Sequence, residues 1–115
     1  MGFLKEKEMA KETIGSIGSG RSRYLGHTDK LMMVVIDFDD GPGEAPDPPH
    51  SHPHEQISYV AEGELIVHIG DESTRLGPGD IYTVPPNIPH TIQLLSKYVR
   101  LVDTFTPLRE EFLKK

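Results

Sequence analysis

The stretch Ile57-Ser-Tyr-Val-Ala-Glu-Gly-Glu-Leu-Ile-Val-His-Ile69 decides the fold class of this chain. Leu65, Val67 and Ile69 recur every second residue, which is the repeat of a strand with one buried face, and Glu62-Gly63 interrupts the run as a turn. Residues 57–61 and 64–69 are therefore expected to form a hairpin. The same pattern continues outward. A turn at Gly70-Asp71 leads to a short strand ending at Leu76, and Gly77-Pro78-Gly79-Asp80 turns the chain into a strand over 81–84. Further strands are expected over 91–95 and 98–105, and the β-branched run 31–38 precedes them all. Short strands with turns at short intervals and almost no helical periodicity define an all-β chain, an antiparallel barrel or jelly roll in which closure protects the strand edges. Helical patterning is left to the ends, over 5–13 and 108–115, while 15–20 is turn-rich. The expected organisation is one domain over 1–115, with an accessory N-terminal arm (1–23), a barrel (31–106) and a short C-terminal helix (108–115).

At 115 residues the chain is one domain's length, enough to bury roughly two-thirds of its unfolded surface. Twelve Lys and Arg against 18 Asp and Glu give a net charge of −6, which disfavours nucleic acid and anionic membranes as partners. The absence of cysteine excludes disulfides, thiolate ligands and a thiol nucleophile. The first residues lack the apolar core of a secretion signal and no stretch is long enough to span a bilayer, so a cytoplasmic location is expected.

Chemistry concentrates in Pro49-His-Ser-His-Pro-His-Glu-Gln56, three imidazoles and a carboxamide within seven residues, with His90 downstream in Pro85-Pro-Asn-Ile-Pro-His90. A His-x-His pair on an extended segment projects both rings to one side, and imidazole is a common ligand for Zn, Fe, Ni and Cu. Clustered histidines beside prolines have little structural use. His54 would share the face of His50 and His52 on an ideal strand, but Pro53 breaks the regularity and points His54 to a rim role. His27 and His68 read as exposed or hydrogen-bonded structural residues, and Met32 and Met33 as packing.

The pattern His50-x-His52-x3-Gln56-x6-Gly63, then Gly79-x5-Pro85-x-Asn87-x2-His90, resembles the paired motifs of the cupins. The resemblance implies a double-stranded β-helix, a jelly-roll barrel whose mouth holds a metal on His50, His52, Gln56 and His90. The ion would be a single divalent transition metal, Ni, Zn, Fe or Mn. Gln56 stands where most cupins have Glu, and Asn87 where many have Gly. The chain is more similar to one branch, the pectin-degradation cupins that open and ketonise unsaturated uronates, through 50–57, 85–90 and Asp103-Thr-Phe105-Thr-Pro-Leu-Arg109-Glu-Glu-Phe112. In that branch Gln is the expected fourth ligand, and the resemblance lines the substrate site with Asp103, Phe105 and Arg109. The acidic, proline-rich loop 40–49 is less typical of it.

The implied partner is a small anionic substrate, a sugar acid. Three imidazoles and an amide leave a divalent ion its whole +2 charge, which favours an anion. Asp103 is the candidate general acid/base, Arg109 a bidentate partner for a carboxylate, and Phe105 a surface for the sugar face. Against these stand duller roles: Asp103 as surface partner of Arg100 or Lys97, Arg109 paired with Glu110, and Gln56 merely orienting a His. The alternatives to a uronate enzyme are an Fe-dependent dioxygenase and a non-catalytic sugar- or metabolite-binding cupin. A homodimer is expected, with the N-terminal arm available to extend a partner's sheet.

Overall fold

Turn chemistry cuts the chain into short strands, and the structure, a computed structural model, describes residues 2–113. In chain order they are β1 (Glu12–Thr13), β2 (Arg21–His27), β3 (Met32–Phe38), β4 (Glu55–Glu62), β5 (Leu65–Ile69), β6 (Glu72–Leu76), β7 (Ile81–Val84), β8 (His90–Leu94) and β9 (Val99–Thr106). One sheet runs β1-β2-β3-β9-β4-β7 and the other β6-β5-β8, and every pairing is antiparallel. The two sheets face each other as the jelly-roll barrel the strand pattern implied. No helix of the described residues is long and apolar enough to cross a membrane.

Alternation supplies the core. Along β9, Val99, Leu101, Asp103 and Phe105 are buried and the residues between them are half-buried. Antiparallel register lines these up with inward residues of neighbouring strands, so Val34, Asp103, Ser58 and Tyr82 form one rung across β3, β9, β4 and β7. Met32, Phe105, Gln56 and Val84 form the next rung toward the mouth. Below them Phe38, Val60, Leu65, Val67, Leu94, Val99 and Leu101 pack into an apolar floor. Polar side chains thus occupy the middle of the barrel between two apolar clusters, the second being Met32, Val34 and Phe105.

Three features differ from the expectations. First, 57–61 and 64–69 are not a hairpin: β4 stays in the six-stranded sheet while β5 pairs with β6 and β8. The β4–β9 register shifts between Val60 and Glu62, and Gly63 takes φ +82°, so the chain is thrown across to the opposite sheet. Second, the N-terminal segment holds β2, paired along its full length with β3, and β1, which pairs with β2 of its own chain. Where a helix was expected over 5–13, a 3₁₀ turn, Glu6–Glu8, and β1 form instead. Third, the C-terminal helix is a single 3₁₀ turn, Glu110–Phe112; the remainder of that expectation, at 114–115, lies outside the described residues.

The loop 39–49 lies against the free edge of β8. Gly43 N–H donates to the Leu94 carbonyl at 2.9 Å, Asp47 N–H to the Ile92 carbonyl at 2.9 Å and His50 N–H to the His90 carbonyl at 3.0 Å. Its prolines cannot donate, so the ladder uses the residues between them. Arg21 holds both ends, with Nε 2.9 Å from Asp40 Oδ2 and Nη1 2.6 Å from Asp47 Oδ2.

Candidate metal centre

His50 and His90 are brought together by backbone pairing. They exchange two N–H···O bonds of 3.0 and 2.9 Å as an isolated antiparallel bridge, and their rings sit 4.3 Å apart. His52 enters from the loop before β4, and its carbonyl accepts a 2.7 Å bond from the Asn87 N–H. Asn87 has φ +65°, a left-handed turn that Asn tolerates and Gly would also meet, which accounts for Asn87 at a position where many cupins carry Gly. One ring nitrogen from each of His50, His52 and His90 lies within 4.8 Å of the others.

The donor set fits a cation. His90 Nδ1 donates to the Ile88 carbonyl at 2.8 Å, and its Nε2 is buried with no hydrogen-bond partner. His52 Nδ1 lies 3.0 Å from the His54 carbonyl, and a neutral ring whose one hydrogen goes there leaves none for its other nitrogen. Its Nε2 then presents a lone pair to Gln56 Oε1 at 3.0 Å, while the Gln56 amide nitrogen donates to Ser58 Oγ at 2.9 Å. Two acceptors face one another beside a third orphaned lone pair, an arrangement that a positive ion relieves. The imidazoles are held neutral. Burial, then His90 and Arg109, push His50 down to about 4, and burial is also the first cause of the lowered His52 and His90 values.

Below the triad lies a buried polar chain. Ser58 Oγ donates to Asp103 Oδ1 at 2.6 Å, and burial pushes the Asp103 carboxyl up to about 6 against the lowering effects of Ser58 and Arg109. Asp103 is 6 % exposed and points inward. The surface pairing weighed for it goes elsewhere: Arg100 forks onto Asp37 and Glu6, and Lys97 bonds Asp39. Arg109 Nε and Nη2 both donate to Glu111 Oε2, at 3.0 and 2.8 Å, rather than to Glu110, and its guanidinium lies 5.0 Å over Phe105 and 4.3 Å over Phe112. Together, His50, Gln56, His90, Asp103, Phe105 and Arg109 line one cavity of about 470 Å³.

His54 is outside the triad: its Nε2 donates to the Leu108 carbonyl at 3.1 Å and tethers the C-terminal segment. His27 is exposed beside the Thr28 carbonyl, and His68 lies half-buried on β5. Sequence reasoning missed Ser58, Tyr82 and Arg23, all of which adjoin the site. Ser58 was findable, because i+2 from Gln56 on a strand means the same face. Arg23 was not, since an arginine on the inner face of β2 breaks the apolar alternation; its guanidinium stacks 4.0 Å from the Phe112 ring.

A small jelly roll with histidines gathered at its mouth defines a cupin, and the chain belongs to the cupin domain family, whose pattern matches residues 37–105. Among its relatives, it is 38% identical over 99 residues to the pectin degradation protein KdgF of Dickeya dadantii (strain 3937), covering 84% of this chain and 87% of that one. The structure of KdgF from a Halomonas species superposes with a TM-score of 0.82 at 32% identity, over 96% of this chain and 99% of that one. An RmlC-like cupin from Shewanella frigidimarina NCIMB 400 superposes with a TM-score of 0.83 at 36% identity, over 97% and 96% of the two chains.

Proposed function

We propose that this chain is a metal-dependent enzyme of pectin degradation that converts a 4,5-unsaturated uronate to its linear, ketonised form. The observation that carries this reading is a cluster of three neutral imidazoles, two of them lining one cavity together with a buried carboxyl poised near neutrality and a stacked arginine. The likeness to KdgF, a pectin degradation protein, over most of both chains supports a substrate drawn from pectin breakdown.

His50, His52, His90 and the Gln56 oxygen would hold the divalent ion, which supplies a Lewis-acid charge that draws the substrate anion and stabilises negative charge on oxygen. Arg109, held by Glu111 and stacked between aromatic rings, presents its remaining N–H groups to the uronate carboxylate. Phe105 offers the sugar a flat apolar wall. Asp103, ionised, takes the proton from the anomeric hydroxyl. The C1–O5 bond breaks as the C1 aldehyde forms, and O5 leaves as an enolate across C4 and C5. Asp103 then returns the proton to C4, leaving a ketone at C5. A carboxyl pushed up to about 6 can do both steps near neutral pH. No electron is gained or lost.

The protein is further proposed to be a homodimer. Met33, Ile57, Tyr59 and Ile81 are about half exposed on the outer face of the larger sheet, Tyr59 paired with Ile81 and two residues from Ile57, and Met33 across Thr104 from Ile57, which gives a second copy an apolar surface to cover.

The test is incubation of the metal-loaded protein with 4,5-unsaturated galacturonate, following the conjugated double bond in the ultraviolet, with and without oxygen. Loss faster than the spontaneous rate and independent of oxygen is the expected result. Oxygen-dependent loss would point to a dioxygenase, and no acceleration to a binding protein.

A further inference from the structure

Ser58 is 1% exposed and makes two hydrogen bonds of fixed polarity. A hydroxyl has one hydrogen, and at 2.6 Å from the Asp103 carboxylate that hydrogen is committed to Oδ1. What remains at Oγ is lone-pair density, which of the two ends of the Gln56 amide only the NH₂ can satisfy, at 2.9 Å, with the Tyr82 hydroxyl the other group beside Ser58. The carbonyl end of Gln56 is therefore turned to His52 Nε2, 3.0 Å away. Without Ser58 the amide is free to rotate by half a turn and present two N–H donors to the imidazoles, and an N–H donor cannot bind a cation. Register fixes the arrangement, since Ser58 sits opposite Asp103 on β9 and two residues from Gln56 on the inner face of β4.

We propose that Ser58 is a positioning residue that fixes the Gln56 amide with its oxygen toward the three imidazoles, coupling that ligand to Asp103. The inference rests on the metal-site reading above. It differs from a space-filling role in a specific way: a glutamate at 56 offers oxygen from either end and needs no orienting partner.

The experiment measures Co(II) affinity by chelator competition, with the d–d absorption of the bound ion, in the full-length wild type, Ser58→Ala, Gln56→Glu and the double variant. Ser58→Ala is expected to weaken Co(II) binding about 10–100-fold and to change the d–d bands while the circular dichroism of the barrel is kept. In the Gln56→Glu background the same change should cost no more than about threefold. Ser58→Thr, which keeps the hydroxyl, should bind within about threefold of wild type and serves if the alanine variant fails to fold. Equal weakening in both backgrounds, unchanged affinity and spectrum in Ser58→Ala, or a Ser58→Thr protein as weak as the alanine variant would overturn the inference. Tight wild-type binding with any of those outcomes leaves the metal reading standing. A wild type that takes up no Co(II) overturns both.

Discussion

At His52 the two ring nitrogens face two acceptors, the His54 carbonyl and Gln56 Oε1, so a neutral ring satisfies one and leaves the other in conflict. His52→Ala is accordingly expected to lose most bound metal with the barrel still folded, because closure rests on apolar rungs; metal analysis after gel filtration checks this, and unchanged stoichiometry would remove His52 from the ligand set. Asp103→Asn should keep the metal and lower turnover by at least about 100-fold, the usual worth of a general acid/base, and full activity would take Asp103 out of the mechanism. In chelator-treated protein the histidines set the acid limb. Their folded values lie below 6.5, so the unfolded chain binds more protons, and their contribution is complete above 6.5 and lost as pH falls toward about 4. Asp103 runs the other way: raised from 3.8 to about 6, it contributes below 3.8 and loses that contribution as pH rises through about 6. Three rings outweigh one carboxyl, so the thermal midpoint should fall between pH 6.5 and 4, and fall more steeply in Asp103→Asn; a rise over that interval would contradict the assignment. The histidines were legible because prolines and loop spacing leave them no structural task. Whether Asp103 faced inward was not legible, since one residue of slip in β9 would have put it on the surface.

At the scale of elements, seven strands could be read from alternation and turn residues to within a residue or two, 81–84 without error. The eighth of real size, β2, was hidden because Arg21 and Arg23 occupy inward positions and stack on Phe38 and Phe112 instead of packing as hydrocarbons. The pairing of β4 with β5 was misread because sequence neighbours joined by a Gly turn usually form a hairpin, whereas here a bulge redirects the chain between sheets. Gly63 is the pivot. A Cβ there would overlap the Tyr98 carbonyl oxygen and crowd Ser96 Oγ, in a backbone region that L side chains avoid. Gly63→Ala should destabilise the protein by about 2–4 kcal/mol in denaturant unfolding, and a cost under about 0.5 kcal/mol would mean that the crossing bends easily.

Across the whole molecule, the apolar strip on the larger sheet and the histidine-lined mouth are separate surfaces, so association and metal binding can be tested apart. Tyr59→Lys with Ile81→Lys should turn a dimer into a monomer by light scattering while leaving metal content unchanged; a wild type already monomeric at tens of micromolar would exclude this face. The fold as a whole was legible from short-range signals because a jelly roll repeats one device, the inward-outward strand, and the long-range resemblance of two histidine motifs located its open end. The rim was not, since the loop 39–49 carries no periodicity. That same loop has an evolutionary consequence. It touches the barrel through backbone bonds to β8 and the fork of Arg21, and few of its side chains enter the core. Apart from Asp40, Gly41 and Asp47, which the Arg21 fork and the close approach of the Ser96 carbonyl hold in place, its sequence can therefore vary without unzipping a sheet, which leaves the approach to the mouth open to reshaping while the histidine cluster beneath it is kept.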